Sequence, residues 1–232
     1  MDNTLKKLVI IPAYNEENTI VAQVEDVRAK APDYDIVVIN DGSEDSTLDL
    51  CRKNHVFCLD LPVNLGIGGA VQTGYRYAAE NGYEIAVQID GDGQHDPAYL
   101  PLLYETLVQE GADMVIGSRF IEKRGDQSTP FRRIGIRFFS ALIRLLTGTA
   151  VTDPTSGFRM VKSTLIAEFA SDYPQDYPEP ESLVRVLKKG FRVAQAPVEM
   201  RARQGGRSSI RLFSSCYYMI KVTIAVILER MR

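Results

Sequence analysis

Residues 85–94, Ile85-Ala86-Val87-Gln88-Ile89-Asp90-Gly91-Asp92-Gly93-Gln94, carry a nearly unbroken apolar run straight into two carboxylates and two glycines. A run without polar alternation reads as a strand buried on both faces, which requires layers packed above and below it. Its Asp-Gly-Asp-Gly ending delivers charge to the strand's carboxyl end, where open α/β sheets bind their ligands.

The same grammar recurs on the N-terminal side. Leu8 to Ile11 runs into Pro12-Ala13-Tyr14-Asn15-Glu16, and Ile36 to Ile39 into Asn40-Asp41-Gly42-Ser43. Further strands are predicted at 56–61 and 114–116, and helices at 17–31, 69–81 and 98–110. Ile20, Val21, Val24 and Val27 share one face of the first helix. Strands alternating with helices predict an α/β fold, a mostly parallel sheet flanked by helices, whose three polar strand ends converge on one rim. The second half is less regular. It reads as a polar loop at 122–130, a basic amphipathic helix at 131–146, an acidic Pro-rich stretch at 172–181, a strand at 191–200, a polar segment at 201–209 and a final helix. With no internal repeat, the organisation reads as one domain over 1–209 followed by a C-terminal amphipathic, interfacial helix over 210–232.

The 232 residues are 45% hydrophobic and 25% charged, which excludes a disordered, collagen-like or multispan membrane chain. A net charge of −3 excludes a uniformly basic nucleic-acid binder. That total is unevenly spread: residues 119–144 carry about +5, residues 199–232 about +5, and the remainder about −13. Cys51, Cys58 and Cys216 lack metal-ligand spacing and read as reduced thiols.

Asp90 and Asp92, one residue apart with glycine between and after them, can approach a hard cation together with a nucleotide diphosphate, and Gln94 adds a neutral oxygen. A solvated acidic turn is the plainer alternative for an isolated D-x-D. Asp41 suits hydrogen bonds from a nucleobase or ribose, and equally a turn before a helix. Pro12 to Glu16 reads either as a nucleotide edge or as a strand-to-helix turn. Asn64-Leu65-Gly66-Ile67-Gly68-Gly69-Ala70 resembles a phosphate cradle but fails the dinucleotide and P-loop spacings, so a close helix–sheet contact competes with it. His95 follows Gln94, where it can line a metal site, but with two histidines in the chain and no His-rich spacing it reads more plainly as a polar loop histidine.

Taken in order, IPAYNEE, VINDGSEDST, NLGIGGAVQTGY, QIDGDGQHDP, IGSRF, VTDPTSGFRM and RQGGRSS resemble family 2 glycosyltransferases of the GT-A (Rossmann-like) fold over roughly residues 5–210. The nearest resemblance is to the dolichyl-phosphate mannose synthase and bacterial polyprenyl-phosphate glycosyltransferase subgroup. The resemblance implies donor binding by Pro12, Ala13, Tyr14, Glu16, Asp41, Gly69, Asp90 and Gly91, and Mg²⁺ or Mn²⁺ held by Asp90, Asp92 and Gln94. It implies phosphate and acceptor binding by Arg119, Arg132, Arg133, Arg203, Arg207 and Ser208, where a planar guanidinium suits bidentate contact with phosphate oxygens. Asp153, Asp92 and Arg119 are the implied catalytic residues. Asp153 would act as base or orient the attacking oxygen, with Glu179 and Glu181 as rival carboxylates. Many relatives have a basic residue where this chain has Ile67, which removes one expected phosphate contact.

Residues 212–228 form an apolar segment with Lys221 near its middle. As a helix it would be about 26 Å long, shorter than a ~30 Å hydrocarbon core. The segment therefore reads as interfacial or packed on a partner rather than spanning, with a helix that completes the core as the plainer alternative, and the basic helix over 131–146 suits the same membrane surface. The implied activity is transfer of a hexose or N-acetylhexosamine from a nucleotide-sugar donor to a lipid-phosphate acceptor at the cytoplasmic face of the membrane. A small membrane-protein partner and a homo-oligomer are compatible with it, and nucleic acid is not a partner. Transfer to a saccharide or protein hydroxyl, and a non-catalytic nucleotide-sugar-binding subunit, stand beside this reading.

Overall fold

In β1 (Lys7–Ala13), Leu8 and Ile10 face one core while Val9 and Ile11 face another, and all four are buried. The missing polar alternation therefore has the expected cause. A computed structural model describes residues 5–122, 124–125, 129–201 and 212–231. The other strands are β2 (Asp35–Asn40), β3 (Cys58–Asp60), β4 (Ile85–Gln88), β5 (Met114–Ser118), β6 (Arg159–Lys162) and β7 (Val193–Pro197). They form one sheet in the order β3-β2-β1-β4-β6-β5-β7. β6 runs antiparallel to both neighbours, and the other pairings are parallel.

One face of the sheet is covered by α1 (Ile20–Lys30), α2 (Thr47–Lys53) and α4 (Leu100–Gln109). The other carries α3 (Gly66–Glu80), α5 (Pro130–Thr147), α6 (Ser163–Ser171), α7 (Pro178–Lys188) and α8 (Leu212–Met231). Gly74 of α3 permits close approach to β1, because a Cβ there would run into the Ile10 side chain. Gly74 lies beyond the glycine-rich segment 64–70, whose Gly68 and Gly69 pack instead on the Pro174–Gln175 stretch and on Leu65.

Three elements are additional to those expected. β6 was not predicted, and neither was α6. The acidic Pro-rich stretch contains the start of α7, since proline in a first helical turn removes N–H groups that would lack intrahelical partners anyway. The predicted strands at 56–61 and 191–200 shorten to 58–60 and 193–197. The chain also enters α3 three residues earlier than predicted, at Gly66.

The final helix is joined to the body along one face. Val222 and Val226 are fully buried, and Arg185 of α7 binds Glu229 through Nε at 2.8 Å and Nη2 at 3.1 Å. Its other face exposes Ile224, Ile227 and Leu228. Among the described residues, no helix is long and apolar enough to cross a membrane. The expected boundary at 209/210 lies outside the described residues.

Candidate functional site

The loops leaving β1 and β2 are laced together. Asn15, at a positive φ of 56°, donates through its backbone N–H to Ser43 Oγ and accepts from the Glu44 N–H. The Glu16 N–H donates to Thr47 Oγ1 at 2.8 Å. Gly42 sits at φ +66°, and a Cβ there would lie 2.9 Å from the Asn64 nitrogen, so the β3–α3 loop packs directly on it. Asp41 Oδ1 accepts from the Leu65 N–H at 2.7 Å, closing the same corner. Asp41 therefore makes the turn and still presents its carboxylate to the space beyond.

That space is a cavity of about 640 Å³ at the carboxyl ends of β1, β2 and β4. Pro12, Ala13, Tyr14, Glu16 and Asp41 line one side, Asp90, Gly91 and Asp92 the floor, and Gly66, Ile67 and Ala70 of α3 a third wall. The predicted convergence of three strand ends is thus present in the fold. Gly69 does not line the cavity; it faces Leu65 and Gln175, and the lining from this segment comes from Asn64, Gly66, Ile67 and Ala70. Ile67, in place of a basic residue, makes that wall apolar.

Asp92 is buried, and its Oδ1 accepts from the Gln94 N–H at 3.0 Å. Gln94 itself is not part of the lining, and its carbonyl accepts from the Arg201 N–H at 2.9 Å. Asp90 is more open. Gln88 Nε2 donates to its Oδ1 at 3.2 Å, and a Cβ on Gly157 would come within 3.1 Å of the same oxygen.

Glu179, in the first turn of α7, completes the cavity. Burial holds its carboxyl above the usual range; Arg159 opposes that, Asp90 adds to it and Arg132 opposes it more weakly. Apart from its own backbone N–H, this carboxylate has no hydrogen-bond partner among the described residues. Glu181 faces away from the cavity lining, and burial together with Glu229 and Asp176 pushes it up to about 7.

Asp153 is fully buried and does not line the cavity. It receives Arg119, also buried, in a bidentate ion pair. Beside this pair Ser118 and Thr152 share a 2.6 Å hydrogen bond, and Ser156 Oγ donates to the Gly117 carbonyl at 2.7 Å. The segment 152–158 is thereby fastened along the end of β5. Arg159, fully buried, extends the fastening: Nε donates to the Ser156 carbonyl, Nη2 to the Pro154 carbonyl and Nη1 to Ser182 Oγ of α7. Sequence reasoning assigned Arg159 no role, although its place at the end of the DPTSGFR segment was the available signal. Arg132 is exposed and Arg133 half-buried in the first turn of α5. Arg203, Arg207 and Ser208 lie outside the described residues.

A family model for glycosyl transferase family 2 matches residues 8–169. Over 217 residues the chain is 30% identical to a polyprenol monophosphomannose synthase of Mycolicibacterium smegmatis, covering 89% of this chain and 82% of that one. It is 29% identical over 215 residues to an undecaprenyl-phosphate mannosyltransferase of Micrococcus luteus, covering 89% and 88%. Its fold is similar to a glucosyl-3-phosphoglycerate synthase of Mycobacterium tuberculosis solved with Mn²⁺, UDP and phosphoglyceric acid. That similarity has a TM-score of 0.71 at 22% identity, over 97% of this chain and 78% of the other.

Proposed function

The chain belongs to glycosyltransferase family 2, and we propose that it moves one hexose or N-acetylhexosamine from a nucleotide-sugar, UDP-linked by preference, to a polyprenyl phosphate such as undecaprenyl phosphate, in cell-envelope glycan synthesis or modification. The observation that carries the reading is the placement of Asp90 and Asp92 in one cavity with Pro12 to Glu16 and Asp41. The nucleoside lies against the Pro12 to Glu16 wall and Asp41, and the diphosphate reaches Asp90, Gly91 and Asp92.

Two carboxylates form a hard, all-oxygen donor set that fits Mg²⁺ or Mn²⁺. Phosphate oxygens and water would supply the remaining oxygen ligands that such a hard cation takes. When bound, such a cation neutralises charge on the departing diphosphate. A lipid-phosphate oxygen attacks the anomeric carbon as the bond to the nucleotide breaks, so configuration inverts and the electron pair leaves on the diphosphate. Arg119, Arg132, Arg133, Arg203, Arg207 and Ser208 gather phosphate groups. Asp153 is assigned the orientation of Arg119, because both its oxygens already accept from that guanidinium. Glu179 faces the transferred sugar.

The exposed apolar residues Ile134, Phe138 and Leu145 of α5 and Ile224, Ile227 and Leu228 of α8 lie among Arg137, Arg144, Lys221 and Arg230. These two touching helices suit a peripheral position on an anionic membrane face, where each basic group contributes about 1 kcal/mol.

A second reading, transfer to a saccharide or protein hydroxyl, is favoured by Glu179, since a neutral hydroxyl needs a base and a phosphate does not. The test incubates the protein with Mg²⁺ or Mn²⁺, candidate nucleotide-sugars, and either undecaprenyl phosphate or soluble saccharides, and follows products by mass spectrometry. Glycolipid is expected. Product on the hydroxyl acceptors alone would transfer the assignment to the second reading, and no product with any donor would overturn both.

A further inference from the structure

Asp90 stands at the end of β4 with its side chain more than a third exposed, so something other than burial must fix its direction. The residue that touches it from behind is His95. The Asp90 backbone N–H donates to His95 Nδ1 at 3.0 Å. Because Nδ1 accepts that bond, the ring's own N–H sits on Nε2, and Nε2 lies 3.7 Å from Asp90 Oδ2. The imidazole therefore brackets Asp90, with one nitrogen on its backbone and the other facing its carboxylate.

His95 is itself held on every side. It is buried, its ring stacks on Phe158 with centroids 5.0 Å apart at 14°, and its carbonyl accepts from Gln23 Nε2 at 3.2 Å. Its backbone also bridges to Met200. Phe158 belongs to the segment fastened to β5, so the ring's plane is set by one loop and its backbone by α1.

We infer that His95 is a positioning residue that fixes Asp90 for the cation and the donor diphosphate, an inference resting on the metal-dependent reading above. Groups that hold a metal-binding side chain from behind typically change metal affinity by about 10–100-fold when removed. The geometry separates the two duties of the side chain. Phenylalanine at this position keeps the stack on Phe158 and deletes the acceptor, whereas asparagine keeps an acceptor near Nδ1 and deletes the ring.

The test titrates Mn²⁺ into UDP-saturated wild type, His95→Phe, His95→Asn and Asp92→Ala, following free Mn²⁺ by electron paramagnetic resonance, with near-ultraviolet circular dichroism to certify the fold. His95→Phe is expected to weaken Mn²⁺ binding about tenfold or more and His95→Asn about two- to threefold, with KM for the donor rising in parallel. Wild-type affinity in folded His95→Phe, with binding lost in Asp92→Ala, would overturn the role of His95 alone. Unchanged affinity in Asp92→Ala as well would instead overturn the metal reading on which it rests. If His95→Phe does not fold, Gln23→Leu tests the same tether through the His95 backbone: a weaker Mn²⁺ affinity supports the inference and an unchanged one overturns it.

Discussion

Asp153 Oδ2 accepts from Arg119 Nε at 2.7 Å and Oδ1 from Nη2 at 2.8 Å, with both residues buried. Removing either partner strands the other charge out of water. Asp153→Ala is expected to lower stability by about 3–5 kcal/mol in denaturant unfolding. The double variant Asp153→Ala/Arg119→Leu should cost less than the sum of the single changes. Strict additivity would show that the two are not coupled.

Asp92→Ala removes one of the two carboxylates on the cavity floor. Turnover is expected to fall by about 10²–10³-fold, the scale for losing a preorganised electrostatic group. UDP with Mn²⁺ should also cease to raise the melting temperature. Retained turnover would exclude Asp92 from the chemistry.

Glu179→Gln separates the two acceptor readings. With an already anionic phosphate acceptor the loss is expected to stay below about tenfold, whereas a missing general base costs about 10²–10⁴-fold. Measured turnover on lipid phosphate decides between them.

Glu181 supplies a pH signature. Its carboxyl is raised to about 7 by burial, Glu229 and Asp176, so between about pH 4.5 and 7 the folded chain holds a proton that the unfolded chain has released. Stability from this group is complete below the unfolded value and is lost as pH rises through 7. Glu181→Gln should therefore raise the melting temperature at pH 8 and flatten its dependence across that window. A parallel profile in wild type and variant would refute the assignment.

Leu145, 82% exposed, and Ile224, 52% exposed, are surface residues whose loss should cost the fold little. Leu145→Glu/Ile224→Glu is expected to weaken sedimentation with anionic phosphatidylglycerol vesicles by at least about tenfold, given roughly 1.5–3 kcal/mol per apolar side chain buried. The remaining binding should fall further with salt. Unchanged sedimentation would move the contact elsewhere.

What was legible in the sequence follows from how each element is satisfied. β1, β2 and β4 are buried on both faces, so their apolar runs and polar ends stood out, and with them Asp41, Asp90 and Asp92. β6 escaped because Arg159 and Lys162 bound a very short run, and the burial of Arg159 depends on hydrogen bonds to the turn just before it, at Pro154 and Ser156, and to Ser182 of α7. α7 escaped because Pro178 and Pro180 suggested irregular chain, and Glu179 went with it as one rival carboxylate among others. His95 had no spacing to mark it, since its ring meets Asp90 only once the chain turns after β4 and meets Phe158 only once the segment 152–158 is in place.

The reversed direction of β6 has an architectural consequence. The chain leaves β5 and re-enters β6 at the same rim, so residues 119–158 form a closed excursion whose two ends are pinned side by side by Arg119–Asp153 and Ser118–Thr152. The loops after β1, β2 and β4 lie outside that excursion. The excursion is not independent of them, however: on its return Gly157 lies close to the Asp90 carboxylate and Phe158 stacks on His95, so a change in the length or course of the segment around α5 is transmitted to the cavity floor through its last two residues.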